Sequence, residues 1–393
     1  MKQKGMKIGF DAKRAAQNRT GLGNYSRFII RILSEIHSDN AYHLYVPKPQ
    51  RIPYLKEIPT LSRLKLRFPP KGMWSKLSAL WRVWGINKDI QRDGIDIFHG
   101  LSNELPLNIG TPEDREKRLG KNRSKYIVTI HDLIFLHTPQ YYHWIDRKIY
   151  NYKFHKACQN ADRIIAVSEY TKQEIISYYR IPEEKIDVVY QGCDPVFAKE
   201  ISTEKKEEVK RKYTLPDKFV LYVGSIEERK NLLLVAQAMS LLQQQPKNDI
   251  HIVAVGRHTP YTDKIQAYLK EQGIEPVFHF YHQVPYEDLP SFYKLAHAFV
   301  YPSRIEGFGI PLLEAITSGV PAIGCTGSCL EEAGGPDSLY VAPDHPESMA
   351  ETILRVCTDI QLRQNMITKG KEYAQRFTDE KLCRDIWNVY TKA

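Results

Sequence analysis

One stretch, Tyr301–Gly324 (YPSRIEGFGIPLLEAITSGVPAIG), restricts the fold more than any other part of the sequence. Ala298–Tyr301 reads as a short buried strand, Gly307 and Gly309 permit backbone conformations closed to other residues, and Pro311 suits the first turn of a helix ending before Gly319. Val320–Gly324 then returns as a strand. A turn of this kind aims free N–H groups and the positive end of a helix dipole at one point, which suits a phosphate. Glu306 lies before the glycines and Glu314 inside the helix, with seven residues between them, so the two acids frame the turn from opposite sides. They can accept hydrogen bonds from sugar hydroxyls while the N–H groups of Gly307, Phe308, Gly309 and Ile310 hold phosphate. Taken singly, each acid has a plainer reading: Glu306 complements the helix dipole, and Glu314 is a solvated helical glutamate.

The same alternation runs through the chain. Lys7–Asp11, Tyr42–Val46, Ile95–His99, Tyr126–Ile130, Arg163–Val167 and Ile186–Tyr190 read as strands, with Leu22–Ile36 and Glu169–Tyr179 among the helices between them. A charge-dense helix, Glu200–Tyr213, opens a second series: Phe219–Val223, His251–Val255, Val277–Phe280, Ala298–Tyr301 and Pro321–Gly324. After Pro346 the pattern is helical to Tyr390. Two doubly wound parallel α/β sheets follow, with a linker at Gly192–Lys199. A length of 393 residues fits two domains, because single cores stop growing near that size.

The net charge of +10 is concentrated. Residues 51–92 hold ten Lys or Arg against Glu57 and Asp89, an excess of eight. Within them Trp74, Trp81 and Trp84 interleave with Lys71, Lys76 and Arg82, and Leu77, Leu80, Trp81 and Trp84 fall at helical spacing. Two readings stand side by side: an interfacial helix docking on anionic lipid headgroups, or core tryptophans under a solvated cationic face. Nucleic acid ranks below both, because no recognised nucleic-acid motif accompanies the charge. No apolar run is long enough to span a bilayer, and the start, MKQKGMKIGFDAKR, lacks the apolar segment of a secretory signal. The expected location is the cytoplasm, peripheral to the inner face of a membrane if the interfacial reading holds. The six cysteines show no paired metal spacing and fit reduced thiols. Thr111–Lys125 is so polar that an exposed loop is expected.

Four further segments carry candidate chemistry. VGSIEERKN, Val223–Asn231, repeats the strand, turn and helix layout; Arg229 and Lys230 stand at a helix start, where the dipole disfavours cations and a bound anion would favour them, unless Glu227 and Glu228 neutralise the pair. His131 and Asp132 end the strand of IVTIHDL, at the edge where open α/β sheets put ligands. RAAQNRTGLGNYS places Gly21 and Gly23 ahead of a helix without the third glycine of a dinucleotide loop, which fits a turn closely approached by a ligand. Gly256 with Arg257, and His282–Tyr286 with Val284 at its centre, are further loops at strand ends, placed to border a nucleotide base.

The E-GFGIPLL-E signature, with IVTIHDL and VGSIEERKN, resembles the retaining glycosyltransferases of family four, and the wording is similar to their mannosyltransferase branch. The resemblance implies the GT-B fold, two doubly wound Rossmann-like domains facing across a cleft. Residues 1–195 would bind the acceptor, 200–375 the nucleotide-sugar, and 376–393 would return to brace the first domain. It implies that Glu306 contacts the transferred sugar, Glu314 the donor ribose and Lys230 the diphosphate. The family's arginine after the glycine is Ser225 here, so the second cationic role falls to Arg229. His131 would sit beside the reacting sugar, and Gly21 and Gly23, with Asp11 and Arg14, would face the acceptor and the donor phosphates. The implied reaction moves a hexose, foremost mannose from GDP-mannose, to a glycan or lipid-linked glycan with retention. Lys230, Arg229 and the N–H groups would meet the leaving charge without a metal, and no Asp-x-Asp pair is present. The rival readings are a nucleotide-sugar epimerase of the same fold and a non-catalytic protein docking on membranes or polyanions.

Overall fold

A computed structural model describes residues 5–120, 123–245 and 248–393. The chain divides into two compact units, one running to Gly192 and taking in Thr378–Ala393, the other Cys193–Phe377. In the first, β1 (Lys7–Asp11), β2 (Ala41–Tyr45), β3 (Lys65–Arg67), β4 (Ile97–Gly100), β5 (Lys125–Ile130), β6 (Arg163–Ala166) and β7 (Ile186–Val188) form a parallel sheet in the order β3-β2-β1-β4-β5-β6-β7. Its central strands are mainly apolar because helices cover both faces; Ile127, Val128 and Ile130 are fully buried, and Asp11, His99 and Thr129 are the buried polar residues of β1, β4 and β5. The helix Asp379–Lys392 lies on Gly21–Ile36 through an ion pair from Arg31 to Asp379 (2.8 Å) and a stack of His37 on Trp387 (3.9 Å), and it buries Leu382, Ile386, Val389 and Tyr390.

The second unit repeats the plan. Here β8 (Phe219–Val223), β9 (His251–Val255), β10 (Phe278–Tyr281), β11 (Ala298–Tyr301), β12 (Ala322–Cys325) and β13 (Leu339–Val341) are ordered β10-β9-β8-β11-β12-β13. Both sheets reverse direction once, between β1 and β4 and between β8 and β11. Strands β3 and β13, three residues each, escaped the sequence reading. All six cysteines are free. Among the described residues, no helix is long and apolar enough to cross a membrane.

Three expectations need correction. Thr111–Lys125 is not a loop: Thr111 and Asp114 form a capping box that starts a helix, Pro112–Leu119, and residues 121 and 122 lie outside the described ones. The charge that suggested solvation includes Arg115, which is buried and bonds the carbonyls of Gly110 and Asn160 and the carboxylate of Asp162. Leu77, Leu80, Trp81 and Trp84 do not share a regular α-helix either; the short turn Ser78–Leu80 runs through a π turn at Trp81–Gly85 into the helix Ile86–Asp93. The extra residue of the π turn rotates the tryptophans apart. Trp81 is 1% exposed and donates its indole N–H to Asp89 (2.7 Å), whereas Trp84 is 45% exposed. Finally, Gly21 and Gly23 do not precede their helix but open it. Gly23 is required there, since a Cβ would fall 1.8 Å from the Asn18 carbonyl oxygen, while Gly21 has open space.

Candidate active site

Where a doubly wound sheet changes direction, the loops leaving the two central strands diverge and leave a crevice at the carboxyl edge. In the second unit those strands are β8 and β11, paired through Ala298 with Val220 and Phe299 with Leu221. The loops that follow them, residues 224–231 and 302–309, are the two motifs singled out from the sequence. They meet. The Arg304 N–H donates to the Arg229 carbonyl (3.0 Å), and the Arg229 guanidinium donates to the Ile305 carbonyl (2.6 Å) and to Glu306 (2.8 Å). Lys230 reaches the same carboxylate at 3.0 Å.

Glu306 Oε1 also accepts from the hydroxyls of Tyr301 (3.1 Å) and Ser303 (2.8 Å), and Lys230 donates to the Tyr301 hydroxyl. Burial alone pushes the Glu306 carboxyl up, but Lys230 and then Arg229 outweigh it and hold the group down at about 2. The acid is therefore ionised, and two cations around one carboxylate leave a net positive cluster. The sequence placed Arg229 and Lys230 in a first helical turn; they occupy a separate 3₁₀ turn, Glu228–Lys230, ended by Asn231 in the left-handed conformation before the helix Leu232–Gln243. The carboxylate that both cations meet in the fold is Glu306. Tyr301 and Ser303 were missed as cluster members because a strand end and a loop serine carry no signal until the loops are seen to meet.

The surrounding loops follow the same edge. Gly256 after β9 lets the turn after β8 come close, because a Cβ there would lie 1.9 Å from the Gly224 oxygen. Arg257 beside it is exposed, Val284 after β10 is half-buried, and the Ser225 carbonyl is taken by the Tyr222 hydroxyl (2.9 Å). Gly309 has φ +112 and starts the helix Ile310–Thr317, and a Cβ would meet Leu330 at 2.8 Å. Phe308 is buried, its ring set edge-on to Phe377 (5.7 Å), so only its backbone is available to a ligand. The Cys329 thiol braces the turn by donating to the carbonyls of Glu306 (3.0 Å) and Phe308 (3.1 Å). Glu314 lies in the second turn of that helix, where the Tyr293 hydroxyl donates to it (2.8 Å); burial, reinforced by Asp194, pushes its carboxyl up to about 7. The two acids of the motif thus differ: one is permanently ionised, and the other titrates at neutral pH.

In the first unit, His131 follows β5 and is held from every side. Its N–H bonds the Asn103 side chain (2.7 Å), its Nε2 the Leu101 carbonyl (2.9 Å) and its Nδ1 the Gln191 amide (3.0 Å), while Tyr25 lies edge-on at 4.6 Å. Burial pushes the imidazole down to about 4, and the nearby Arg14 cation pushes the same way. The Asp11 carboxylate is bound by Arg82 (2.6 Å), which also holds Glu104 (2.6 Å), so Arg82 is an internal ion-pair partner rather than a solvated cation. Of the basic segment, Lys71, Lys76 and Lys88 remain exposed, as do Met73, Leu77, Leu80 and Trp84.

Comparison with known proteins bears on the family and the fold. Residues 26–197 match the family model described as Glycosyltransferase Family 4, and residues 203–373 match Glycosyl transferases group 1. The O-antigen chain mannosyltransferase B of Escherichia coli is 31% identical over 297 residues, 75% of this chain and 74% of that protein. The serotype-specific mannosyltransferase WbdA of Escherichia coli is 28% identical over 275 residues, 67% of this chain but 32% of that longer protein. The fold matches Anabaena Alr3699/HepE, solved in complex with UDP and glucose, at a TM-score of 0.75 and 16% identity over 99% of this chain and 100% of that one. The chain belongs to glycosyltransferase family 4: it is a GT-B enzyme that transfers a sugar from a nucleotide-sugar.

Proposed function

We propose that the enzyme is a retaining hexosyltransferase that moves mannose from GDP-mannose to a glycan or lipid-linked glycan. The observation that carries this reading is the Arg229, Lys230 and Glu306 cluster at the change of direction of the second sheet. Residues 200–375 bind the nucleotide-sugar, residues 1–195 the acceptor, and 376–393 brace the latter. The bond from the anomeric carbon to the diphosphate breaks while the acceptor oxygen attacks from the same face, and the departing phosphate oxygen takes the acceptor proton. The charge left on the diphosphate is met by Lys230, Arg229 and the N–H groups from Gly307 to Ile310, with no reorganisation needed at the moment of reaction. Glu306 holds the sugar, His131 stands beside it, and Glu314 accepts from the ribose. Ser225, Arg257 and Val284 border the nucleotide, and Gly21, Gly23 and Arg14 lie toward the phosphates and acceptor. Mannose is supported by the two mannosyltransferase relatives.

Thermal denaturation with GDP, UDP, ADP and their sugars tests the donor. The correct nucleotide at a hundredfold excess over its Kd adds about 2.7 kcal/mol. GDP-mannose is expected to respond most, and a response to UDP-sugars alone overturns the mannose assignment. The response should also depend on pH. Ribose hydroxyls donate to the ionised form of Glu314, whose carboxyl is pushed up to about 7, so affinity rises from pH 6 to pH 8 by about tenfold. Glu314→Gln should flatten that profile.

The exposed Met73, Leu77, Leu80 and Trp84 beside Lys71, Lys76 and Lys88 support docking of the enzyme on an anionic membrane surface at its cytoplasmic face. Vesicle flotation should show binding that increases with anionic lipid and decreases for a Leu77→Ser, Trp84→Ser double variant. Equal flotation on neutral and anionic vesicles would reject the docking.

A further inference from the structure

Beside the Arg229, Lys230 and Glu306 cluster, the second unit holds a hollow of about 370 Å³ to which the donor reading gives no role. Its size lies within that of small-molecule sites, about 300–1,000 Å³. Asn231 and Gln237 line it from the start and the second turn of the helix Leu232–Gln243, Tyr261 from the first turn of the helix Pro260–Glu271, and Arg304 and Asp344, an ion pair, from the loops after β11 and β13. Glu228 completes the lining. In a 3₁₀ turn residues three apart eclipse, so Glu228 and Asn231 share the face that borders the hollow, whereas Arg229 and Lys230 leave by the others to meet Glu306. One turn thus serves both places. Asn231 is only 4% exposed, and its amide N–H donates to the Pro343 carbonyl (2.8 Å), which can only accept, so Oδ1 is the side-chain group left for a ligand. That oxygen caps none of the N–H groups of the helix it precedes.

The lining combines two carboxylates, two amides and one guanidinium, all planar, around the half-buried Tyr261. Sugar hydroxyls both donate and accept, and the C–H face of a pyranose packs on the flat apolar surface of an aromatic ring. A phosphate fits this lining worse, because Arg304 is already paired with Asp344 and Glu228 adds a further negative charge. We propose that the hollow is a second, non-catalytic saccharide site that takes one pyranose unit of a glycan, and that its occupancy is coupled to donor binding through the turn Glu228–Asn231. The Arg304 N–H donates to the Arg229 carbonyl (3.0 Å) and the Asn231 N–H to the Glu228 carbonyl (3.0 Å), so a sugar held by Asn231 and Arg304 stiffens the segment from which Arg229 and Lys230 reach Glu306. The sugar binding depends on no donor assignment. The coupling rests on the proposed role of Arg229 and Lys230 in holding the diphosphate.

Saturation-transfer NMR on the whole enzyme with methyl α-mannoside, methyl α-glucoside and methyl α-galactoside tests the site. At least one glycoside should give a signal that survives Glu306→Ala and is not displaced by inorganic phosphate. Its Kd should rise about tenfold in Tyr261→Ala and in Asn231→Gly, which keeps the left-handed backbone, but not in Tyr261→Phe, which keeps the ring. Silence from all three glycosides overturns the site, as does displacement by phosphate or a Kd that neither Tyr261→Ala nor Asn231→Gly changes. GDP or UDP, whichever binds, should tighten the glycoside about fivefold, the glycoside should tighten that nucleotide by the same factor, and both shifts should vanish in Tyr261→Ala. A nucleotide that binds without moving the glycoside Kd overturns the coupling. Because the glycoside is first read without nucleotide, failure of the sugar site and failure of the donor reading are separate results.

Discussion

Glu306→Ala is expected to reduce sugar transfer by about three orders of magnitude while leaving both sheets folded. Two losses combine. In the proposed mechanism the carboxylate no longer contacts the sugar, and Arg229 and Lys230, each only slightly exposed, lose the acceptor that holds them in one place. Removing one partner of a buried ion pair costs about 3–5 kcal/mol, and because this site is open to solvent on one side the lower end applies. The melting temperature should therefore fall, and pyrophosphate or the cognate nucleotide should restore it by more than it raises the wild type, since the stranded cations gain a counter-ion. Glu306→Gln keeps the shape and the hydroxyl contacts of Tyr301 and Ser303 and isolates the charge; it should be the more stable of the two variants and nearly as inactive. Full turnover in either variant removes Glu306 from the site. A variant that loses activity without gaining affinity for anions would mean that Glu306 does not neutralise the two cations.

What the sequence disclosed about this cluster, and what it withheld, follows from range. The strands β8 and β11, the glycine turn and the helix behind it are local consequences of apolar runs and of Gly309 and Pro311, and all are visible in short windows. That the two loops share one crevice follows from the strand order, which puts β8 beside β11. The identity of each charge's partner does not follow. Arg82 looked solvated until Asp11, far along the chain, was found against it, and Arg115 looked solvated until the Asp162 carboxylate was found against it. Such pairs are set by which elements the sheet brings together, and a residue-by-residue reading has no access to them. The π turn at Trp81–Gly85 has a local origin instead: Gly85 admits Trp81 and Trp74 against the backbone, where a Cβ would lie 2.8 Å from the first ring. Helical spacing in the sequence could not foretell that one tryptophan would turn inward and its neighbour outward.

Lys230→Met should lower kcat by about 10²- to 10³-fold, corresponding to about 2.7–4 kcal/mol of transition-state stabilisation. The donor KM should rise far less. In the proposed mechanism the diphosphate carries part of its charge in the ground state, where Arg229 and the helix N-terminus would also meet it, but the bridging oxygen becomes anionic only as the glycosidic bond breaks. An ammonium fixed by Tyr301 and Glu306 needs no reorganisation at that point, and its contribution is therefore concentrated in the transition state. Lys230→Arg should recover only part of the loss, because a planar fork does not reproduce the point charge that Nζ now places between Tyr301 and Glu306, 4.9 Å from the Tyr301 ring centroid. Since Lys230 and Glu306 act on one another as well as on the substrate, the Lys230→Met, Glu306→Gln double variant should lose much less than the product of the single losses. Strict multiplicativity in that cycle would mean that the two residues serve separate steps, and the single cluster proposed for leaving-group departure would have to be abandoned.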